Sequence, residues 1–246
     1  MNRARSRGGD GGLWAVIPVR PLDRAKSRLS PALTPFARAA LAEAMFRDVL
    51  AAARASGLFA RILVATSCPR AAAIAHGAGA SVVPDAATDA GTNPAVEGAL
   101  AAVPDGTAAM VIQADLPLLE ADDLREVASA LRRPGVVLVP ATDGGTTILG
   151  LSPARVIRPS FGADSFARHL ALARAAGLEP EVLCPARAVS DLDRPEDIAL
   201  LLSCRPESQS ARLVRLVHAA PRPIPKPKHE RLSHDERDPG RYLSVR

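Results

Sequence analysis

Aromatic side chains are almost missing from this 246-residue chain: one Trp, one Tyr and five Phe make up 3% of it. A core with so few rings must be filled by Ala, Val, Leu and Ile, and stacking surfaces for bases or sugars are scarce. Cysteine is also sparse. Cys68, Cys184 and Cys204 are too few and too scattered for a disulfide framework or a cysteine-based metal cluster. No run of 18 apolar residues exists, so no membrane span is expected. The start, MNRARSRGGDGG, is basic and Gly-rich, but the apolar stretch after it stops at Pro18 and Arg20, which argues against a signal peptide. These absences leave a cytoplasmic protein as the expectation.

What is present suits a globular fold: 48% of the residues are hydrophobic. The net charge of +5 belongs to the ends. Of 31 Lys/Arg and 26 Asp/Glu, residues 1–12 and 204–246 together hold 13 and 6, leaving 18 basic and 20 acidic residues in 13–203. A nucleic-acid-binding domain should carry its cations on the fold, so a nucleic-acid partner is not expected.

Apolar runs alternate with Ala/Leu-rich helical stretches. Strands are predicted at 13–19, 60–67, 81–85, 108–117, 135–142, 146–152 and 181–185. Helices are predicted at 69–77, 94–102, 121–132, 163–176 and 194–202, and in the segment from Thr34, an N-cap before Pro35, to Gly57. In that first helix Phe36, Ala40, Leu41, Ala44, Met45, Val49 and Ala52 recur at helical spacing. The Gly-Gly between 135–142 and 146–152 suggests a hairpin. Alternation of this kind implies an α/β fold, Rossmann-like, with a mostly parallel sheet and helices on both faces. Residues 13–203 form the predicted single domain. Residues 1–12 read as a disordered tail, and 204–246 as a basic, Pro-rich, disordered tail in which 213–220 could extend the last helix.

Ligands of such sheets bind outside the carboxyl ends of the strands, which directs attention to strand ends. After the first strand, IPVRPLDRAKSRL offers Arg20, Arg24, Lys26 and Arg28, a cradle for phosphates or else a solvated basic loop. Asp115 ends the most hydrophobic strand in QADLP, placed to hold Mg²⁺ beside phosphates or merely to cap. In SDLDRPED, Asp191 and Asp193 project from one face if extended, and a cation would relieve their repulsion; Asp193 could equally cap the helix. DGGTT and SFGADS supply Thr146, Thr147, Ser165 and the backbone of Gly162 near a helix start, an anion site or an ordinary turn and cap. Asn93 in GTNPA reads as an N-cap or as a reader of a base edge. Neither His76 nor His169 shows ligand spacing, and no role is assigned to either.

Taken in order, IPVRPLDRAKSRL, GTNPAVEGAL, ADLPLL, DGGTTILG, RPSFGADSFARH and SDLDRPEDI resemble the guanylyltransferases of coenzyme F-420 biosynthesis, from about Leu13 to Leu202. The resemblance implies a GT-A-like nucleotidyltransferase that uses Mg²⁺ to transfer GMP from GTP to a phosphorylated three-carbon acid, releasing pyrophosphate. The acid would be 2-phospho-L-lactate, phosphoenolpyruvate or 3-phospho-D-glycerate. It implies Asp115, Asp191 and Asp193 as metal ligands, and Asp115 and Lys26 as catalytic residues. Arg20, Lys26, Arg28 and Asn93 would meet the nucleotide. Thr146 or Thr147, with Gly162 and Ser165, would meet the acid. Arg20 stands where Lys is common in the family. The DGGTT turn is shorter than the family's Gly-Thr-Gly-Thr pattern, so the choice between the two threonines stays open, as does a homodimer. The rival readings are a related enzyme with another nucleotide or acceptor, and a non-catalytic binding protein.

Overall fold

The structure, a computed structural model, describes residues 12–85, 91–189, 192 and 197–219. Among them the chain forms strands β1 (Trp14–Pro18), β2 (Arg61–Ala65), β3 (Ser81–Val83), β4 (Ala109–Ile112), β5 (Gly135–Pro140), β6 (Thr146–Ser152) and β7 (Glu181–Val182). The helices are α1 (Pro35–Ser56), α2 (Pro69–Gly77), α3 (Thr92–Ala101), α4 (Ala121–Ala130), α5 (Ser165–Ala175), α6 (Asp197–Cys204) and α7 (Gln209–Ala219). No helix among the described residues is long and apolar enough to cross a membrane.

The strands make one sheet in the order β3-β2-β1-β4-β6-β5-β7. Pairing is parallel throughout except around β6, which runs against both β4 and β5. The predicted hairpin is therefore β5–β6, with a register shift between Val139 and Pro140. Side chains alternate across the sheet with period two. Ala15, Ile17, Met110 and Ile112 enter one core with α1, α2, α4, α6 and α7; Val16, Ala109, Val111 and Leu149 enter the other with α3 and α5. Both faces are covered, as the near-continuous apolar strands require.

Local signals set the long helix. The Thr34 side chain accepts from Ala37 N at 3.2 Å, Pro35 takes the first helical position, and Gly57 closes the helix at φ 66°. Phe36 departs from the expected apolar stripe, since it is 81% exposed in the first turn.

The fold also runs past the boundary expected at residue 203. Residues 209–219, placed in the tail by their Pro-rich surroundings, form α7, and its Ala211 and Val214 are buried in the α1-side core. A distant residue caps it. Asp48, buried in the middle of α1, accepts from Gln209 N (2.9 Å), Ser210 N (3.0 Å) and Ser210 Oγ (2.6 Å). A carboxylate at a helix N-terminus satisfies orphan amides and complements the dipole. Ser208 Oγ adds a local cap by accepting from Ala211 N.

Candidate active site

Three chain segments converge on the carboxyl edge of the sheet. The loop after β1 and the residues after β4 reach this edge because both strands point toward it. Because β6 runs the other way, its first residues also lie there: Gln113, just past β4, donates its backbone N–H to Thr147 O at 3.0 Å.

A cleft of about 260 Å³ opens between the first two segments, lined by Arg20, Lys26, Arg28, Thr92, Gln113 and Asp115 among others. The expected phosphate cradle and the expected strand-end aspartate thus share one wall. Lys26 Nζ lies 2.8 Å from Asp115 Oδ2, with the Lys26 side chain 4% exposed and Asp115 39% exposed. Lys26 adopts the left-handed conformation, φ 56°, between two short 3-10 turns at Leu22–Arg24 and Ser27–Leu29. A non-glycine residue there costs on the order of 1 kcal/mol, held by its surroundings. Gln113 was not foreseen. Its Nε2 is buried with no partner among the described residues, an orphan donor in the wall of a ligand-sized space.

The exposed carboxylate of Asp115 is a hard oxygen donor suited to Mg²⁺. Asp191 and Asp193, the other expected ligands, lie outside the described residues. Among the described residues no group of three or more His, Cys, Asp or Glu could hold an ion, so Asp115 alone does not make a metal centre.

The second half of the site is a buried polar knot. DGGTT and SFGADS do come together: Phe166 N donates to Gly144 O at 3.2 Å, and Ser165 Oγ lies 3.2 Å from Thr146 Oγ1. The geometry separates the two threonines. Thr147 Oγ1 donates to Val139 O in β5 and serves the sheet, where the register shift leaves that carbonyl available. Thr146, buried, faces Ser165 instead. Gly162 adopts φ +123°, a conformation that L side chains rarely take, so the SFG turn needs glycine there.

Asn93 corrects its expected role. Gly91 is the residue that precedes α3 as its N-cap. Asn93 donates from Nδ2 to Phe161 O (3.1 Å) and accepts from Phe161 N at Oδ1 (2.6 Å). Its amide clamps the SFG turn to α3 rather than capping the helix, with one N–H and one lone pair used in doing so.

His169 is the residue that sequence reasoning passed over. It is fully buried on α5, one turn after Ser165, an i, i+4 spacing that places both on one helix face. Its Nδ1 lies 2.9 Å from Thr146 Oγ1, Ser160 N donates to its Nε2 at 2.8 Å, and Phe161 packs edge-on at 5.0 Å. Burial, with the Arg168 charge adding to it, pushes its pKa down to about 4. The unfolded chain would take up a proton near pH 6.5 that the fold refuses until about 4. This stabilisation is fully present above pH 6.5 and is lost as pH falls toward 4, amounting to about 3 kcal/mol at most. Urea unfolding across pH 4–7.5 should show a steeper acid decline for the native chain than for His169→Phe. Parallel curves for the two would refute the assignment.

Comparisons with known proteins identify the family. Residues 13–220 match the family model described as guanylyl transferase, CofC like. A phosphoenolpyruvate guanylyltransferase from Roseiflexus castenholzii is 38% identical over 204 residues, covering 82% of this chain and 94% of that protein. A 3-phospho-D-glycerate guanylyltransferase from Phenylobacterium zucineum is 38% identical over 189 residues, covering 74% and 86%. Among solved structures, one assigned to a nucleotide-diphospho-sugar transferase from Desulfovibrio desulfuricans G20 superimposes with a TM-score of 0.67 at 19% identity. It covers 85% of this chain and 96% of its own. That likeness speaks to the fold.

Proposed function

This chain belongs to the family of CofC-like guanylyl transferases, and from that premise we propose that it transfers GMP from GTP to a phosphorylated three-carbon acid, releasing pyrophosphate, in coenzyme F-420 biosynthesis. The observation that carries this reading is the cation-lined cleft ending at Asp115; the buried Thr146–Ser165 hydroxyl pair, at the start of the reversed β6 on the same sheet edge, supports it.

In this reading the triphosphate lies along Arg20, Lys26 and Arg28, whose cations complement its oxygens. The acid sits against Thr146, Ser165 and the Gly162 turn. Its phosphate oxygen forms a bond to the α-phosphorus of GTP while the bond from that phosphorus to the β-phosphate bridging oxygen breaks. Pyrophosphate leaves with that electron pair. The attacking oxygen is already ionised at neutral pH, so no strong base is required, and the protein's contribution is positioning and charge stabilisation. A divalent cation, Mg²⁺ here, would be held by Asp115 with Asp191 and Asp193 and would supply neutralisation of phosphate charge. Phosphoenolpyruvate, 3-phospho-D-glycerate and 2-phospho-L-lactate each present a carboxylate and a phosphate on three carbons. The two relatives named above bear different acids in their names at the same 38% identity, so identity alone does not choose between these.

A panel of four nucleoside triphosphates against the three acids tests the proposal, with pyrophosphate release and product mass as readouts. Acid-dependent pyrophosphate release with GTP, and a product carrying one GMP, is the expected result. Equal use of CTP, or release that ignores the acid, would remove it.

A further inference from the structure

We propose that His169 is a positioning residue for the acceptor acid: it fixes the direction of the Thr146 hydroxyl so that Thr146 donates its proton to the bound anion. The inference rests on the acid-pocket reading above and adds to it a residue that does not itself touch substrate.

The tautomer follows from the bonds. Ser160 N can only donate, so Nε2 must present its lone pair. A neutral ring then carries its proton on Nδ1, and the contact at 2.9 Å is Nδ1–H donating to Thr146 Oγ1. Ser165 Oγ donates its one proton to the same oxygen at 3.2 Å, so Ser165 serves the acid pocket by orienting Thr146 rather than by donating to the acid. With both lone pairs of Thr146 occupied, its own O–H is the one group left to donate. A phosphate or carboxylate accepts and cannot donate when ionised, so this polarity suits an anionic ligand. A hydroxyl free to rotate would meet the same ligand with a lone pair part of the time.

The surroundings hold the ring in register. Its Nε2 anchors Ser160, and Asn93 grips the next residue, Phe161, through both backbone atoms. Arg168 secures the same turn from outside: its guanidinium donates to Ser160 Oγ, Ser160 O and Ala163 O. The Gly162 turn and the Thr146 hydroxyl are therefore set by one imidazole. Both ring nitrogens of His169 are bonded within the protein, to Thr146 and Ser160, so its effect has to pass through Thr146 and the turn.

The test compares Thr146→Val, His169→Phe, His169→Asn and the double variant Thr146→Val/His169→Phe. Phe keeps the ring volume beside Phe161 and removes both hydrogen bonds. Asn can restore a donor where Nδ1–H stood. His169→Phe should raise KM for the acid about tenfold or more, the scale of one lost charge-assisted hydrogen bond, with KM for GTP little changed. The double variant should be no worse than the poorer single one, because the two groups act as a unit. Asn should recover part of the loss. Long-range proton–nitrogen spectra of the full chain at neutral pH should show His169 as the Nδ1–H tautomer. An Nε2–H tautomer, or an unchanged KM for the acid in His169→Phe while Thr146→Val raises it, overturns the proposal. If neither variant moves that KM, the acid-pocket reading itself fails.

Discussion

Replacing Asp115 by Asn should lower guanylyl transfer by about a hundredfold or more, the scale seen when one group aimed at developing charge is removed, and should leave the fold in place. The side chain keeps its shape, and its amide oxygen can still accept from Lys26 Nζ, now 2.8 Å from the carboxylate. Its negative charge is what is lost. Asp115 is 39% exposed at the mouth of the cleft, so packing depends on it little. In the proposed reaction its carboxylate would be one ligand of a cation, and a neutral amide is a far weaker partner for a hard divalent ion. The check is steady-state pyrophosphate release with GTP and each acid, beside a thermal melt of both proteins. Turnover within a few-fold of the native value, at an unchanged melting temperature, would remove Asp115 from the chemistry.

Ending the chain at residue 208 should cost several kcal/mol of stability, whereas a chain ending at Ala219 retains α7 and its contacts. The shorter chain strips three donors from Asp48, a carboxylate only 4% exposed. Hydrogen bonds to a charged group contribute about 1.5–3 kcal/mol, and water that reaches Asp48 once α7 is gone offsets part of their loss. Losing the burial of Val214, which is 1% exposed, adds about 1.5–3 kcal/mol. Such a sum is a large share of the roughly 5–15 kcal/mol that keeps a typical domain folded. Urea midpoints of the two truncated chains decide the matter; equal midpoints would mean that α7 is dispensable to the fold.

That helix also marks where sequence reading stopped. The ends of α1 were legible because their causes are local: a capping Thr34, Pro35 behind it and Gly57 at the finish. The hairpin was legible from Gly144–Gly145, and the place of Asp115 in the cleft wall from the rule about strand ends. In α7, Ala211, Val214 and Val217 follow helical spacing, and 213–220 could be read as extending the last helix, but the Pro-rich, charged stretch after it hid that this is a separate helix packed into the core. Its cap comes from Asp48, 161 residues before the amide it first meets. No window along the chain contains both. Asn93 misled for the same reason: a short polar residue near a helix start suggests a local cap, yet its partner, Phe161, is 68 residues away. The different partners of Thr146 and Thr147 accompany a one-residue register shift at Val139/Pro140, which composition does not reveal. His169 left a faint mark, four residues after Ser165, that acquires meaning only once Thr146 is folded against it.

The reversed direction of β6 has a consequence for how such a protein can change over generations. Because β6 opposes its neighbours, Thr146 lies at this edge of the sheet at the start of a strand, while Asp115 and the Arg20–Arg28 loop follow strand finishes. The turn at 143–145 is then a separate hinge of variation. It can lengthen, shorten or exchange residues without pulling on the backbone that presents Lys26 and Asp115. In the proposed reaction, preference for one acid or another could then drift while the groups that would hold the nucleotide are inherited intact.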